Sequence, residues 1–222
     1  MIKHKLVNAQ NISLAFFEAI EEKNLIAAGK TEAQLIAELD DLGAKIFGIE
    51  KHWHKKIVRT GKNTLAIYPD NPPEIIIQED DILFIDLGPI IDGYEADIGR
   101  TYVLGNNAKK IKLKNDVEKA WYEIQEWYRH QTIVKASALF QFAVEKAKES
   151  GWEFGGEIAG HIVGKYPHEQ PIDPKSLELD IHPDNHNDML LPDADGNQRH
   201  WILELQFVDK VEQIGGYFEQ LL

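Results

Sequence analysis

Apolar residues recur at three- and four-residue spacing in three parts of the chain, which is the period of an amphipathic helix. The first part is residues 8–28. The second, residues 31–48, opens on Thr31, whose hydroxyl can cap a helix, and closes on Gly48. The third, residues 111–150, is long enough for two helices, and we place the break between them at 132–137.

Short apolar or alternating runs elsewhere in the chain predict β-strands. They occupy residues 56–59, 74–77, 82–91, 94–104, 201–208 and 217–222. Helices that alternate with groups of hairpins predict an α+β fold. Residues 173–196 are acidic and rich in proline, asparagine and aspartate, so we expect them to form a long surface excursion.

Composition and charge narrow the classes of protein that fit this pattern. A chain of 222 residues with 43% hydrophobic and 27% charged residues is an ordinary globular protein with a sizeable core. The net charge of −13 disfavours nucleic acid or an anionic membrane surface as a partner. The absence of cysteine excludes disulfides and thiolate metal sites. Polar residues interrupt the N-terminal apolar run, so we expect no signal peptide and a cytoplasmic location.

The stretch DLGPIIDGYEADIGRTY, residues 86–102, places aspartates in what otherwise is a β-hairpin. Asp92 and Gly93 predict a two-residue type I′ turn, which fixes the register of the two strands. Counting outward from the turn sets Gly88 opposite Asp97 and puts Asp86 on the same face as Asp97. We expect Gly88 to leave room there for an ion and a substrate.

Two carboxylates that share a semi-buried sheet face repel each other, so a cation between them is the favoured explanation. Two alternatives need no metal. Asp86 can accept hydrogen bonds from a turn, and Asp97 can pair with Arg100.

Further polar groups interrupt apolar segments later in the chain. Glu204 lies in WILELQFV and Glu219 in GGYFEQLL, and an inward glutamate on a strand is costly unless it is paired. His161 lies between Gly160 and Gly164 in GEIAGHIVGKYPHE, and His168 follows seven residues later. The four carboxylates and the imidazole of His161 are hard to explain one by one, in apolar strands or beside glycines, but easy to explain as one site.

These motifs together closely resemble the pita-bread metallopeptidases, a group that includes methionine aminopeptidase, aminopeptidase P, prolidase and creatinase. The resemblance covers nearly the whole chain and implies a curved, mostly antiparallel sheet with helices packed on its outer face. Because the resemblance starts almost at the first residue, we expect residues 1–222 to form a single catalytic domain, without the separate N-terminal domain that prolidases and aminopeptidase P carry. The family's metal ligands carry over to Asp86, Asp97, His161, Glu204 and Glu219.

The resemblance further implies that Asp86 binds one metal, that Asp97 and Glu219 bridge two, and that His161 and Glu204 complete the second metal's ligands. Four carboxylates and an imidazole are balanced by two divalent cations. Oxygen and imidazole donors suit Mn²⁺, our preference, but leave Co²⁺, Fe²⁺ and Zn²⁺ open.

Paired ions roughly 3.5–4 Å apart hold a bridging water, lower its pKa to give a hydroxide and polarise the scissile carbonyl. Glu204 is then the proton shuttle. His168 resembles the family's histidine that contacts substrate and stabilises the oxyanion.

The chain departs from the family pattern at several positions. Tyr68 stands near the place where prolidases and aminopeptidase P have a substrate-binding histidine, so we expect Tyr68, or else nearby His54, to bind substrate in its stead. Without further information, His52 and His54 are expected to be exposed. Leu205 and Ile162 replace a proline and a glycine beside the ligands.

The predicted function is metal-dependent hydrolysis of short peptides, by an aminopeptidase or dipeptidase that cleaves Xaa-Pro or other N-terminal bonds. A homodimer is left open. One alternative is a creatinase-like amidino hydrolase, which needs a basic residue such as Arg59 or Arg100 for a substrate carboxylate. Another is a binding protein that has kept the fold and lost catalysis.

Overall fold

The computed structural model describes residues 2–222. Within them lie four α-helices and nine β-strands, joined by turns and loops. The helices are α1 (Ile2–Glu22), α2 (Glu32–Leu42), α3 (Ala108–Arg129) and α4 (Ala136–Glu149). The strands are β1 (Ile57–Thr60), β2 (Ile82–Leu87), β3 (Ile90–Ile91), β4 (Tyr94–Glu95), β5 (Ile98–Val103), β6 (Glu153–Phe154), β7 (Gly160–Val163), β8 (His200–Asp209) and β9 (Ile214–Leu221).

The helices follow the predicted periodicity, with local signals at their ends. Thr31 caps α2, because its hydroxyl accepts from the backbone N–H of Gln34 while the Gln34 side chain accepts from the Thr31 N–H. A π-helical turn continues α2 to Gly48. The predicted break between α3 and α4 is confirmed, whereas α1 begins six residues earlier than the apolar pattern suggested, at Ile2.

The strands form one curved antiparallel sheet in the order β1-β2-β5-β9-β8-β6, with β7 also paired to β8. The hairpin β3-β4 extends beyond β2 and β5 and carries the Asp92–Gly93 turn. Ile91 pairs with Tyr94 and Leu87 with Ile98, so the register predicted from the turn is confirmed.

The helices pack mainly on one face of the sheet, and Leu6 near the start of α1 also packs with Val163 and Ile202 at its edge. Leu203 and Leu205 of β8 join a core with α3 and α4, and Ile85 and Leu87 of β2 join a second core with α1 and α2. Side chains alternate along a strand, so the residues between these leucines and isoleucines point to the other face. This arrangement confirms the α+β fold with helices on the outer face, and it leaves the concave face free for a site.

Two sequence predictions are wrong in this region of the fold. Residues 74–77 form no strand, because their backbone groups bond to residues 29–32 instead of to a neighbouring strand. The stretch 173–196 is not simply a surface excursion, since Ile181 and Met189 are buried in the core with α3 and α4. Burial of these apolar side chains ties the segment to the core in spite of its acidic composition.

No helix within residues 2–222 has both the length and the apolar character needed to cross a membrane.

Candidate metal centre

A row of paired residues crosses four adjacent strands on the concave face. Asp86 of β2 pairs with Gly99 of β5, Gly99 with Glu219 of β9, and Glu219 with Glu204 of β8. Residues that pair directly across antiparallel strands project on the same side. The sheet register therefore brings three acidic side chains together from positions far apart in sequence.

Asp97 joins this row because of the hairpin register. Both turn residues have positive φ, 51° at Asp92 and 77° at Gly93, as a type I′ turn requires. Asp97 lies two residues before Gly99 and so shares its face. Gly99 has no side chain of its own, and a Cβ there would lie 2.5 Å from Tyr217 Cδ1, so the ring of Tyr217 takes that space.

His161 completes the cluster from β7. The pairing of His161 with Ile202 places the imidazole at the carboxylates, with Nε2 3.3 Å from Asp97 Oδ2 and 3.9 Å from Glu219 Oε1. The structure thus brings all five predicted ligand side chains to the wall of a single cavity of about 370 Å³. Its size falls within the range of small-ligand sites.

Burial and mutual repulsion act strongly on these acids. Burial, with repulsion from Asp97 and Glu204, raises the pKa of Asp86 to about 7. Burial likewise raises the pKa of Glu204, and burial with three neighbouring carboxylates raises the pKa of Glu219 well above its usual value. Burial opposes ionisation of Asp97 too, but the imidazoles on either side of it prevail and lower its pKa to about 2. The cluster strongly resists carrying four negative charges without added positive charge.

Two carboxylate oxygens show where that positive charge would bind. Asp86 Oδ1 and Glu219 Oε2 are buried and have no hydrogen-bond partner. Asp97 belongs to two groups of three side chains whose ligand atoms lie within 4.8 Å of one another. It joins His54 and Asp86 in one group, and His161 and Glu219 in the other. Carboxylate oxygens and imidazole nitrogens without thiolates fit divalent ions such as Mn²⁺, Co²⁺, Fe²⁺ or catalytic Zn²⁺.

His54 lines the cavity, in keeping with the alternative to Tyr68, and the expectation that it is exposed is wrong. It was expected to be exposed, yet its side chain is only 5% exposed, and Nε2 lies 3.0 Å from Asp97 Oδ1. His52 is not exposed either; it forms a β-bridge with Pro89. Segment 51–56 has no apolar periodicity, so nothing in the sequence showed that it passes over the hairpin.

The prediction that Gly88 leaves room for an ion and a substrate is wrong. A Cβ there would overlap the His54 ring and lie 2.5 Å from Trp53 Nε1. The space that Gly88 leaves is filled by these two rings, not by an ion and a substrate. Trp53 contacts the rings of His54, His161 and His168 edge-on, with centroids 4.6, 5.3 and 5.4 Å away, and donates to the Ala96 carbonyl.

His168 is held at the cavity by Glu95, a buried residue that sequence reasoning missed. The Glu95 carboxylate accepts from His168 Nδ1 at 2.9 Å and from the backbone N–H groups of Gly164 and His168. These bonds leave Nε2 as the free ring nitrogen. Glu95 lies between the two aspartates, within the motif that was singled out, and only its burial reveals this contact.

Two tyrosines also line the cavity. Tyr68, 52% exposed, lies near His54 with ring centroids 6.0 Å apart, and Lys55 lies over its face. The half-buried Tyr217 stacks on Phe84 and donates from its hydroxyl to Glu204 Oε2 at 3.1 Å.

The arginines do not fit the alternative interpretations. Arg100 donates to the carbonyls of Gly99 and Glu219 and to the Gln220 side chain, and it lies over Phe218 on the helix side of the sheet. It therefore pairs with no acid of the cluster. Arg59 lines the cavity, but two of its nitrogens donate to the carbonyls of Ala66 and Asp70.

Known proteins resemble the chain in both sequence and fold. The family described as Metallopeptidase family M24 matches residues 4–193. Among solved structures, an X-Pro aminopeptidase from Thermotoga maritima superposes with a TM-score of 0.76 at 23% identity. The match covers 97% of this chain and 56% of the aminopeptidase chain. A prolidase from Pyrococcus furiosus gives a TM-score of 0.71 at 24% identity, covering 97% and 58%.

A methionine aminopeptidase from Thermotoga maritima gives a TM-score of 0.68 at 14% identity and covers 98% of this chain and 90% of its own. The chain thus spans little more than half the length of the X-Pro aminopeptidase and the prolidase, and most of the methionine aminopeptidase. At these identities the likeness to the solved structures concerns the fold.

Proposed function

The chain belongs to metallopeptidase family M24, and from that premise we propose that it is a two-metal hydrolase that removes the N-terminal residue from short peptides. We propose Xaa-Pro bonds as the preferred substrate and residues 1–222 as one catalytic unit. The observation that carries this proposal is the buried acidic cluster with its unpartnered oxygens at Asp86 and Glu219.

Charge favours two ions over one. The row contributes Asp86, Glu204 and Glu219, and the hairpin contributes Asp97, all buried or nearly so. One divalent ion would leave about two negative charges unbalanced in a poorly solvated site, which is costly. Asp97 has one oxygen toward each histidine, the arrangement expected of a bridging carboxylate.

The proposed ligand roles follow this geometry. Asp86 would bind the first ion, Asp97 and Glu219 would bridge, and His161 with Glu204 would bind the second. When bound, the pair would acidify a water and polarise the scissile carbonyl. Mn²⁺ is our first choice of metal, with Co²⁺, Fe²⁺ and Zn²⁺ also compatible with the donors.

The remaining steps belong to side chains of the cavity. Glu204 would accept the proton of the attacking water and pass it to the leaving nitrogen, with Tyr217 holding its carboxylate in place. His168, held by Glu95, would stabilise the charge that develops on the carbonyl oxygen. Tyr68 at the cavity wall would contact the substrate.

The choice of Xaa-Pro bonds is supported by the X-Pro aminopeptidase and the prolidase among the similar structures. No arginine observation favours the creatinase-like alternative, since Arg100 is on the helix side and Arg59 is bonded to backbone carbonyls. A binding protein without catalysis is the outcome if the cavity binds peptide and cleaves nothing.

The test is a panel of Xaa-Pro dipeptides, Xaa-Pro tripeptides, Met-initiated peptides and creatine, each assayed with Mn²⁺, Co²⁺ and Zn²⁺. We expect metal-dependent release of the residue before proline, abolished by chelation and by Asp97→Ala. Hydrolysis of creatine alone would assign the amidino activity instead. Full activity of Asp97→Ala would refute the two-metal mechanism.

A further inference from the structure

We propose that His54 is an additional metal ligand, which binds the first ion together with Asp86 and Asp97. This inference rests on the proposed function, because it takes the acidic cluster to bind metal. It adds a residue that the family resemblance did not supply, since the ligand set carried over by resemblance contains a single histidine, His161.

His54 and His161 have the same local hydrogen-bond geometry. His54 Nδ1 lies 2.7 Å from the carbonyl oxygen of the next residue, Lys55, and His161 Nδ1 lies 2.8 Å from the carbonyl of its next residue, Ile162. A carbonyl oxygen only accepts, so Nδ1 carries the proton in both rings. In a neutral ring, Nε2 then has a free lone pair. Metal-binding histidines have this tautomer fixed in the same way, by donating the N–H of the other ring nitrogen to a carbonyl or carboxylate oxygen.

The Nε2 atoms of these two histidines lie on either side of the Asp97 carboxylate. His54 Nε2 lies 3.0 Å from Asp97 Oδ1, and His161 Nε2 lies 3.3 Å from Asp97 Oδ2. Each imidazole therefore faces its own oxygen of the same carboxylate. Trp53 contacts both rings edge-on.

The distances around His54 Nε2 match the spacing of ligands around one ion. His54 Nε2 is 3.0 Å from Asp97 Oδ1 and 3.6 Å from Asp86 Oδ1. Two ligands with bonds of about 2.1 Å to one ion are separated by roughly 3.0–3.4 Å at octahedral or tetrahedral angles. The three atoms can therefore surround one ion after small adjustments.

A charged imidazolium is the competing explanation, and it satisfies the site less well. Its Nε2–H would donate one good hydrogen bond, to Asp97 Oδ1. Asp86 Oδ1, buried and without a hydrogen-bond partner, would remain so at 3.6 Å. An ion among the three atoms satisfies all of them at once.

The proposal has a consequence for metal preference. With His54, each ion of the pair has one imidazole ligand, and imidazole favours Co²⁺ and Zn²⁺ over Mn²⁺ more than carboxylates do. Loss of His54 should therefore weaken Co²⁺ binding at one of the two sites more than it weakens Mn²⁺ binding.

The experiment is titration of the metal-free, full-length protein with Co²⁺, followed by calorimetry and by visible absorption, in wild type, His54→Ala, His54→Gln and the control His52→Ala. His52 lies on the same segment, and no atom of it belongs to either of the two groups of ligand atoms that share Asp97. We expect two equivalents in wild type and in His52→Ala. In both His54 variants one equivalent should bind at least ~10-fold more weakly, with a changed spectrum, and the same variants should lose less affinity for Mn²⁺.

Circular dichroism identifies any variant that fails to fold. If His54→Ala does not fold, His54→Gln provides the test, because it retains a polar side chain of similar size. Two equivalents with unchanged affinity and spectrum in a folded His54 variant would overturn the inference and leave the proposed two-metal site standing. A wild-type protein that binds no Co²⁺ would overturn the proposed site itself, and the inference with it.

Discussion

Asp86 and Glu219 each bury a carboxylate oxygen that no hydrogen-bond donor reaches. Such a group costs about 1–3 kcal/mol, and more when it is charged. A sequence selected for stability alone would replace these acids with apolar residues of similar size. A bound cation would explain their presence, and the proposed metal site can therefore be argued from these two residues alone.

Glu95 acts differently, through the residue that it holds. Glu95→Gln would weaken the bond to His168 Nδ1 and the bonds to two backbone N–H groups, so the loop carrying His168 would lose its anchor. We expect kcat/KM to fall roughly tenfold or more, since misplaced transition-state donors are costly, while metal content stays at the wild-type value.

Steady-state kinetics and elemental analysis of the same preparation check this. Glu153→Gln is the control, because Glu153 is exposed and its carboxylate forms a surface ion pair with Lys210. Unchanged kcat/KM in Glu95→Gln would show that His168 needs no support from Glu95.

At the scale of elements, the site depends on register. A one-residue slip of β2, β8 or β9 would turn its acidic side chain, Asp86, Glu204 or Glu219, toward the helices. The turn at Asp92–Gly93 fixes one pairing, and the row Asp86–Gly99–Glu219–Glu204 shows that the others agree with it. The antiparallel sheet is therefore the device that gathers the ligands.

Gly88 tests how closely the preceding segment packs on this hairpin. Gly88→Ala would introduce a Cβ into the space of the His54 and Trp53 rings. We expect the free energy of unfolding to fall by about 1–3 kcal/mol, the usual cost of overpacking, as measured by denaturant titration. Gly164→Ala is the control, because its Cβ would meet His168 Cβ at an ordinary 3.5 Å. Equal stability of Gly88→Ala and wild type would mean that the rings are loosely packed.

The elements also show what the sequence could reveal. Helical periodicity predicted α2, α3 and α4 well, and turn chemistry predicted the hairpin register, because both are local rules. The short strands β6 and β7 escaped notice, since four residues or fewer carry little period of their own and depend on β8 for pairing. Residues 74–77 are apolar enough for a strand, but in the structure they bond to a loop.

The same division holds for the site. Asp86, Asp97, His161, Glu204 and Glu219 stand in motifs or in apolar strands, where a polar residue is conspicuous. His54 stands beside lysines, and Glu95 stands between Asp92 and Asp97 in a motif whose aspartates already account for its acidity. Only the folded contacts reveal what these two residues do. Long-range packing, which the sequence does not display, decides their place.

At the scale of the whole molecule, the helices on the outer face and the cavity on the inner face divide the sheet between stability and chemistry. Leucine and isoleucine side chains bury one face in two cores, while the alternate positions gather acids around the cavity. The acidic excess of the chain, a net charge of −13, includes the four carboxylates of this cluster. We expect the molecule as a whole to take up divalent cations at this point.

Anomalous X-ray diffraction from crystals grown with Mn²⁺ tests that expectation most directly. The account predicts two peaks in the cavity, roughly 3.5–4 Å apart, with Asp97 and Glu219 between them and His161 beside one. A crystal with a single peak, with none, or with peaks away from these side chains would contradict the two-metal site.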